Sequence, residues 1–173
     1  AHDSMATHHK AHAVQAAHVP TGAAYTEIKL LGKGTFGRVS LIKRRKDGKT
    51  LVWKEIEYGR MKEAEKQLIV SEVNILRELK HPNIVQIFDY VDVDGDCALV
   101  TELVEGATLR AVLEEYSDEP MPVSLVLGLF RQILDGVRHA HRHNCLHRDL
   151  KPGNIMITEE RLVKLLDFGI ASL

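Results

Sequence analysis

The sequence predicts an α+β fold in two lobes, the first rich in strands and the second helical. Three observations carry that prediction. Between residues 25 and 102, short apolar runs alternate with turn signals and are interrupted by one long helical stripe. From residue 108 onward the apolar spacing becomes that of amphipathic helices. The change of character falls at 102–106, which places the seam between the lobes there.

Strands are predicted at 25–31, 38–44, 50–57, 84–91 and 97–102, with turns at Lys46-Asp47-Gly48-Lys49 and Asp94-Gly95-Asp96. Together they make a twisted antiparallel sheet. The segment 61–80 carries Leu68 or Ile69, then Val73, Leu76 and Leu79 at helical spacing, so one face of a helix packs on that sheet. It stops before His81-Pro82-Asn83, because the residue ahead of a proline is pushed out of the helical region. Helices follow at 108–116 and 123–143, separated by Ser117-Asp118-Glu119-Pro120-Met121-Pro122. In the second, Val126, Phe130, Ile133, Val137 and Ala140 form a stripe that Leu127, Leu129 and Leu134 broaden, a pattern that calls for neighbours on several sides. His139, His141 and His143 read as helix-end and surface residues rather than metal ligands. Residues 1–24 hold many Ala and His, including His8, His9 and His12, and almost no bulky apolar side chains. They are expected to be a disordered tail.

The whole chain has 173 residues, 45% apolar and 27% charged, enough for one globular domain with a core. A formal net charge of -1 gives no field that would gather nucleic acid. The basic run Lys43-Arg44-Arg45-Lys46 reads as a solvated hairpin end. No apolar run approaches the roughly 20 residues that cross a bilayer, so an intracellular protein without membrane contact is expected. Cys97 and Cys145 are read as reduced and structural. The sequence starts at Ala1 rather than Met and is read as a fragment or a processed product.

The chemistry is concentrated in His147-Arg148-Asp149-Leu150-Lys151-Pro152-Gly153-Asn154, followed after a short hairpin by Asp167-Phe168-Gly169. Asp149 can accept or orient the proton of an attacking hydroxyl, and Lys151 can neutralise charge on a transferring phosphoryl group. Asn154 and Asp167 are hard oxygen ligands of the kind that suit Mg2+, which would arrive with the nucleotide. That set points to phosphoryl transfer from ATP. His147 and Phe168 are read as structural. In Leu31-Gly32-Lys33-Gly34-Thr35-Phe36-Gly37-Arg38-Val39 the glycines let the backbone approach a polyphosphate. They lie between two strands, which fits a hairpin over ATP and not the strand-to-helix turn of a dinucleotide enzyme. Lys54 on an inner strand needs anionic partners, which phosphate oxygens and the carboxylate of Glu72 would supply. Glu63, Glu65 and Glu78 are read as solvated.

With these motifs in this order, the chain resembles the eukaryotic protein kinases from about residue 25 to its last residue. Lys151 after Asp149 is typical of the serine/threonine branch. Val52-Trp53-Lys54-Glu55-Ile56, Glu63-Ala64-Glu65-Lys66-Gln67 and the stretch from Ser71-Glu72-Val73 to His81-Pro82-Asn83-Ile84-Val85 are similar to NIMA-related kinases. The resemblance implies a protein-kinase-like two-lobe fold: a complete β-rich N-lobe at 25–102, a hinge at 103–106 and the start of a helical C-lobe at 107–173. It implies Thr101 as gatekeeper and the backbone of Glu102 and Val104 as adenine partners. Val39 and Val52 would lie above the base and Met156 beneath it, and Leu76 would stack with His147 and Phe168. It also implies a serine/threonine kinase that phosphorylates proteins in a cytoplasmic, cytoskeletal, centrosomal or ciliary setting.

Leu166 is bulkier than the glycine common before the DFG motif in NIMA-related sequences. The activation segment, the APE motif and the later helices do not follow Leu173, and Arg148 would ordinarily meet an activation-loop phosphate. The apolar face of 123–143 is therefore expected to stand open, to make the chain poorly soluble or unstable alone, and to recruit a partner. The competing reading is a truncated pseudokinase, a nucleotide-binding or interaction module that performs no transfer.

Overall fold

The computed structural model describes residues 24–34, 37–56, 62–93 and 96–168, so the expected tail up to residue 23, the 94–95 turn and Gly169 lie outside the described residues. Five strands, β1 (Tyr25–Gly34), β2 (Gly37–Arg44), β3 (Thr50–Ile56), β4 (Ile87–Val93) and β5 (Asp96–Glu102), form one antiparallel sheet. Its spatial order is β1-β2-β3-β5-β4. Strand alternation divides the apolar side chains between two cores. Along β5, Ala98 and Val100 join Tyr25, Ile42, Leu51 and Trp53 in the smaller one. Cys97 and Leu99 join the larger one, which continues through both lobes.

Helix α1 (Glu63–Glu78) buries Ile69, Val73 and Leu76 in the larger core, with Leu79 just past its end. Leu68 is 58% exposed, which settles the choice between Leu68 and Ile69. The strand expected from residue 84 begins at Ile87 instead. Asn83 O accepts from the Leu165 amide at 2.9 Å, and the Val85 amide donates to Leu165 O at 2.9 Å. The Asn83 carbonyl and the Val85 amide are thus committed to the second lobe, and residues 83–85 do not join the ladder beside β5.

The second lobe opens with β6 (Ala107–Thr108), after which Thr108 caps α2 (Leu109–Glu115) by accepting from the Ala111 amide at 3.2 Å. Gly106 precedes it at φ 155, where a Cβ would strike the Ile157 carbonyl. Helix α3 (Val123–Arg142) buries Leu129, Gly136 and Ala140. Val126, Leu127, Phe130 and Leu134 are exposed, so the open apolar face expected of this helix is present. At Gly136 a Cβ would lie 2.9 Å from Leu165 Cδ1 and 3.1 Å from Asn83 O, so α3 approaches the lobe junction where only glycine fits. A 3-10 turn (Pro152–Asn154), β7 (Ile155–Ile157) and β8 (Val163–Leu165) follow, and β6-β7-β8 form a small antiparallel sheet. Cys97 and Cys145 are both buried. No helix among the described residues is long and apolar enough to cross a membrane.

Candidate active site

The loop 147–154 joins α3 to β7 and is held from within. His147 is buried, donates from Nε2 to Leu166 O at 2.7 Å and stacks on Phe168 with ring centroids 4.5 Å apart. Burial holds its pKa below the usual imidazole range, so the ring is neutral near pH 7 and acts as a spacer. Phe168 and Leu76 lie in the same core, consistent with the expected column. The Asp149 carboxylate accepts from Lys151 Nζ at 2.7 and 3.0 Å and from Asn154 Nδ2 at 2.8 Å. Those bonds, the lysine's first, hold its pKa below the usual carboxylate range. Asn154 Nδ2 also donates to Asp149 O at 2.8 Å, which closes the loop on itself. The structure therefore brings Asp149, Lys151 and Asn154 together as their spacing predicts.

The charges from the first lobe take different partners from those expected. Lys54 Nζ on β3 lies 2.5 Å from Asp167 Oδ1. Glu72 on α1 accepts from Arg148 Nη1 through both carboxylate oxygens, each at 3.2 Å. The expected Lys54–Glu72 pair is thus replaced by two pairs that each span the lobes. The reason is competition: the sequence-based pairing weighed only first-lobe charges, and the second lobe supplies a carboxylate to Lys54 and a guanidinium to Glu72. Arg148 and Asp167 both sit at positive φ, 59 and 45, a left-handed conformation rare for residues with a Cβ. Such backbone is stabilised only where its surroundings over-determine it, and it clusters at functional sites.

The glycine loop is a β1–β2 hairpin with Lys33 opposite Arg38 and Gly34 opposite Gly37; Thr35 and Phe36 lie outside the described residues. A Cβ on Gly32 would meet nothing within 4 Å, whereas one on Gly37, at φ 130, would lie 2.5 Å from Glu55 O. Leu31 is exposed at the rim. Arg38 turns away to Glu27, Nη2 to Oε1 at 2.5 Å, and Ser40 donates to the same oxygen at 2.9 Å, fastening the hairpin's base. Val39 lies opposite Lys54 and Val52 opposite Thr101, so the residues expected above a base sit on adjacent strands.

At the lobe connection, Glu102 Oε1 accepts from the Gln86 amide at 2.8 Å and from Lys164 Nζ at 2.7 Å, and the Glu102 amide donates to Gln86 O at 2.9 Å. Thr101 Oγ1 makes a 3.2 Å contact to the Glu102 carbonyl. Val104 in the connection and Met156 on β7 are both half-buried. Glu63 and Glu78 are exposed as expected.

Sequence reasoning missed Arg148 as the partner of Glu72, and Glu27, Gln86 and Lys164 as the residues that fix the hairpin and the connection. Only their charge or polarity marks them in sequence. His139 and His143, read as surface residues, contact each other ring to ring, and His139 also meets His81.

The protein kinase domain family matches residues 25–173. Serine/threonine-protein kinase Nek2 of Homo sapiens is 43% identical over 160 residues, an alignment covering 85% of this chain and 35% of that protein. Probable serine/threonine-protein kinase nek2 of Dictyostelium discoideum is 41% identical over 157 residues, covering 86% and 37%. The crystal structure of the Mycobacterium tuberculosis PknI kinase domain superposes with a TM-score of 0.76 at 26% identity, covering 87% of this chain and 61% of that one. The chain belongs to the protein kinase family, and its resemblance to NIMA-related kinases is borne out. It spans about a third of the length of the curated relatives it matches.

Proposed function

We propose that this chain carries the nucleotide cleft and catalytic loop of a serine/threonine protein kinase that moves the γ-phosphoryl group of ATP to a protein hydroxyl. The observation that carries the reading is the Asp149 carboxylate, ionised and held by Lys151 and Asn154 beside the Lys54–Asp167 pair. The acceptor hydroxyl would donate to Asp149, which orients it and takes its proton as the bond to phosphorus forms. Lys151 would shift from Asp149 to the transferring group and offset its charge. Lys54 would hold the phosphates under the glycine hairpin, with Glu72 as its support once released from Arg148. The Glu102 carbonyl and the Val104 amide would take the adenine edge.

The donor set fits Mg2+. Asn154 spends its amide nitrogen on Asp149, which leaves the amide oxygen as its open acceptor, and the Asp167 side chain is 46% exposed. These two hard oxygens would hold the ion, with phosphates and water completing its shell. When bound, Mg2+ would neutralise the phosphate charge that opposes attack. A cytoplasmic setting and a protein substrate follow from the family resemblance.

A transfer assay with Mg-ATP and a serine- and threonine-containing protein tests this reading. Asp149→Asn should lower transfer by about 10²- to 10⁴-fold while nucleotide still binds. The second reading, a binding module without transfer, draws on Glu72 being engaged by Arg148. It predicts nucleotide binding with no transfer that Asp149→Asn can diminish.

A further inference from the structure

Three imidazoles meet where the two lobes join, away from the nucleotide cleft. His81 follows α1, and His139 and His143 sit one turn apart on α3. The ring centroids are 4.8 Å apart for His81–His139 and 4.5 Å for His139–His143. The rings are tilted against one another, with interplanar angles of 33° and 36°. Among the described residues no group of three His, Cys, Asp or Glu is arranged to hold a metal ion. The two outer rings are tied to the backbone. His81 Nδ1 accepts from the Asn83 amide at 3.1 Å, so that nitrogen carries no proton in this arrangement. His143 Nδ1 donates to the His139 carbonyl at 2.9 Å. His139 Nε2 is buried without a partner.

Asn83 is the residue that fastens the first lobe to the second. Its side chain donates to Gln132 on α3 at 3.1 Å and to Val163 O on β8 at 2.9 Å, and its carbonyl accepts from the Leu165 amide. We propose that the His81–His139–His143 stack is a proton-sensitive joint: neutral, it holds the 81–84 connection on α3, and protonated, it loosens that hold.

Two physical effects act together. A proton on His81 Nδ1 abolishes the acceptor for the Asn83 amide, and a second charge in the stack places two cations about 4.5 Å apart. The surroundings supply little compensation. His81 is faced by Asp135 and Arg138 of α3 and by Lys164 of β8. His139 is faced by His81, His143 and Arg142. Asp135, the one anion among these groups, is already bonded to Arg138 at 2.8 Å. Desolvation first, and then for His139 the neighbouring imidazoles, hold both pKa values below the usual imidazole range. Groups that bind protons more weakly when folded make stability rise with pH. The contribution of the stack is thus present above the ordinary histidine range and is lost as pH falls through it.

The test is amide hydrogen exchange on the chain from about pH 7.5 to about pH 5.5, the window in which free imidazoles gain their proton. Intrinsic exchange rates are corrected for at each pH. Protection of the Asn83, Val85 and Leu165 amides should fall several-fold on acidification. In His81→Asn, whose Oδ1 can accept the Asn83 amide but cannot titrate, protection should fall less steeply, because only the His139–His143 repulsion remains. Equal pH dependence in both chains, or none in the unaltered chain, overturns the proposal. A second arm does not depend on that variant folding. In His143→Gln, an exposed substitution, the His139 imidazole followed by NMR should titrate at a higher pH than in the unaltered chain. An unchanged midpoint contradicts the charge repulsion on which the joint rests.

Discussion

Asp149, Lys151 and Asn154 meet within one stretch of six residues, whereas Glu72 reaches Arg148 across 76 positions and Lys54 reaches Asp167 from the other lobe. The first set is arranged by the local chain. A 3-10 turn at Pro152–Asn154 and two bonds from one amide bring the carboxylate, the ammonium and the carboxamide together whatever the lobes do. The second set depends on where α1 stands relative to 147–168. Two cations and two anions make up these pairs, and under the proposed function an exchange of partners would join Glu72 to Lys54 and free Asp167. The loop 147–154 is therefore preorganised, while the cross-lobe charges constitute its adjustable part.

The largest expected effect would break the preorganised side. Asn154→Ala removes both bonds to Asp149, so transfer should fall by about 10²-fold or more, and the Asp149 pKa followed by NMR should climb back toward the ordinary carboxylate range. An unmoved titration would mean that Lys151 alone holds the carboxylate. Next in size, Gly136→Val would push α3 off Leu165 and Asn83, and thermal unfolding should show about 1–3 kcal/mol of destabilisation. Arg148→Ala should change stability by about 1 kcal/mol or less, because its pair with Glu72 is partly solvated. By releasing Glu72 it should tighten Mg-ATP binding several-fold, as titration calorimetry would show. Weaker binding in that variant would place Glu72 outside the nucleotide's support. The smallest effect is a local surface pair. Arg44 holds Asp47 at a pKa of about 2, so its contribution is present above the ordinary aspartate range and disappears as pH falls toward about 2. An Asp47 carboxyl that titrates in the ordinary range would show the pair is not formed in solution.

Much of this was legible in the sequence because motif spacing encodes local geometry. The 147–154 loop, the glycine hairpin between two strands and the helix ending before Pro82 are all consequences of nearby residues. The five strands of the first sheet were readable from their alternation, but β6, β7 and β8 span two or three residues, too short to show a period. Ile84 has the composition of a strand residue, yet its segment pairs with Leu165, a partner that no local pattern announces. The same limit explains Glu72. Its place on the inward face of α1 could be read from Leu76, but the guanidinium that meets it comes from the other lobe. His139 looked like a surface residue because its neighbour His81 is remote in sequence. The open apolar face expected on α3 is present at Val126 and Phe130, whereas Ala140, which the spacing placed in the same stripe, is buried.

The cleft should take Mg-ATP with Lys54 and Asp167 as its ionic partners, and a thermal-shift titration of the chain with Mg-ATP tests that most directly. At about 100 times Kd, binding should add about 2.7 kcal/mol, a rise of about 5–10 °C in Tm for a chain of this size. Lys54→Met and Asp167→Asn should each abolish the rise. A shift of the same size in both variants would contradict the assignment of these residues, and a folded chain with no shift at saturating nucleotide would contradict the cleft itself.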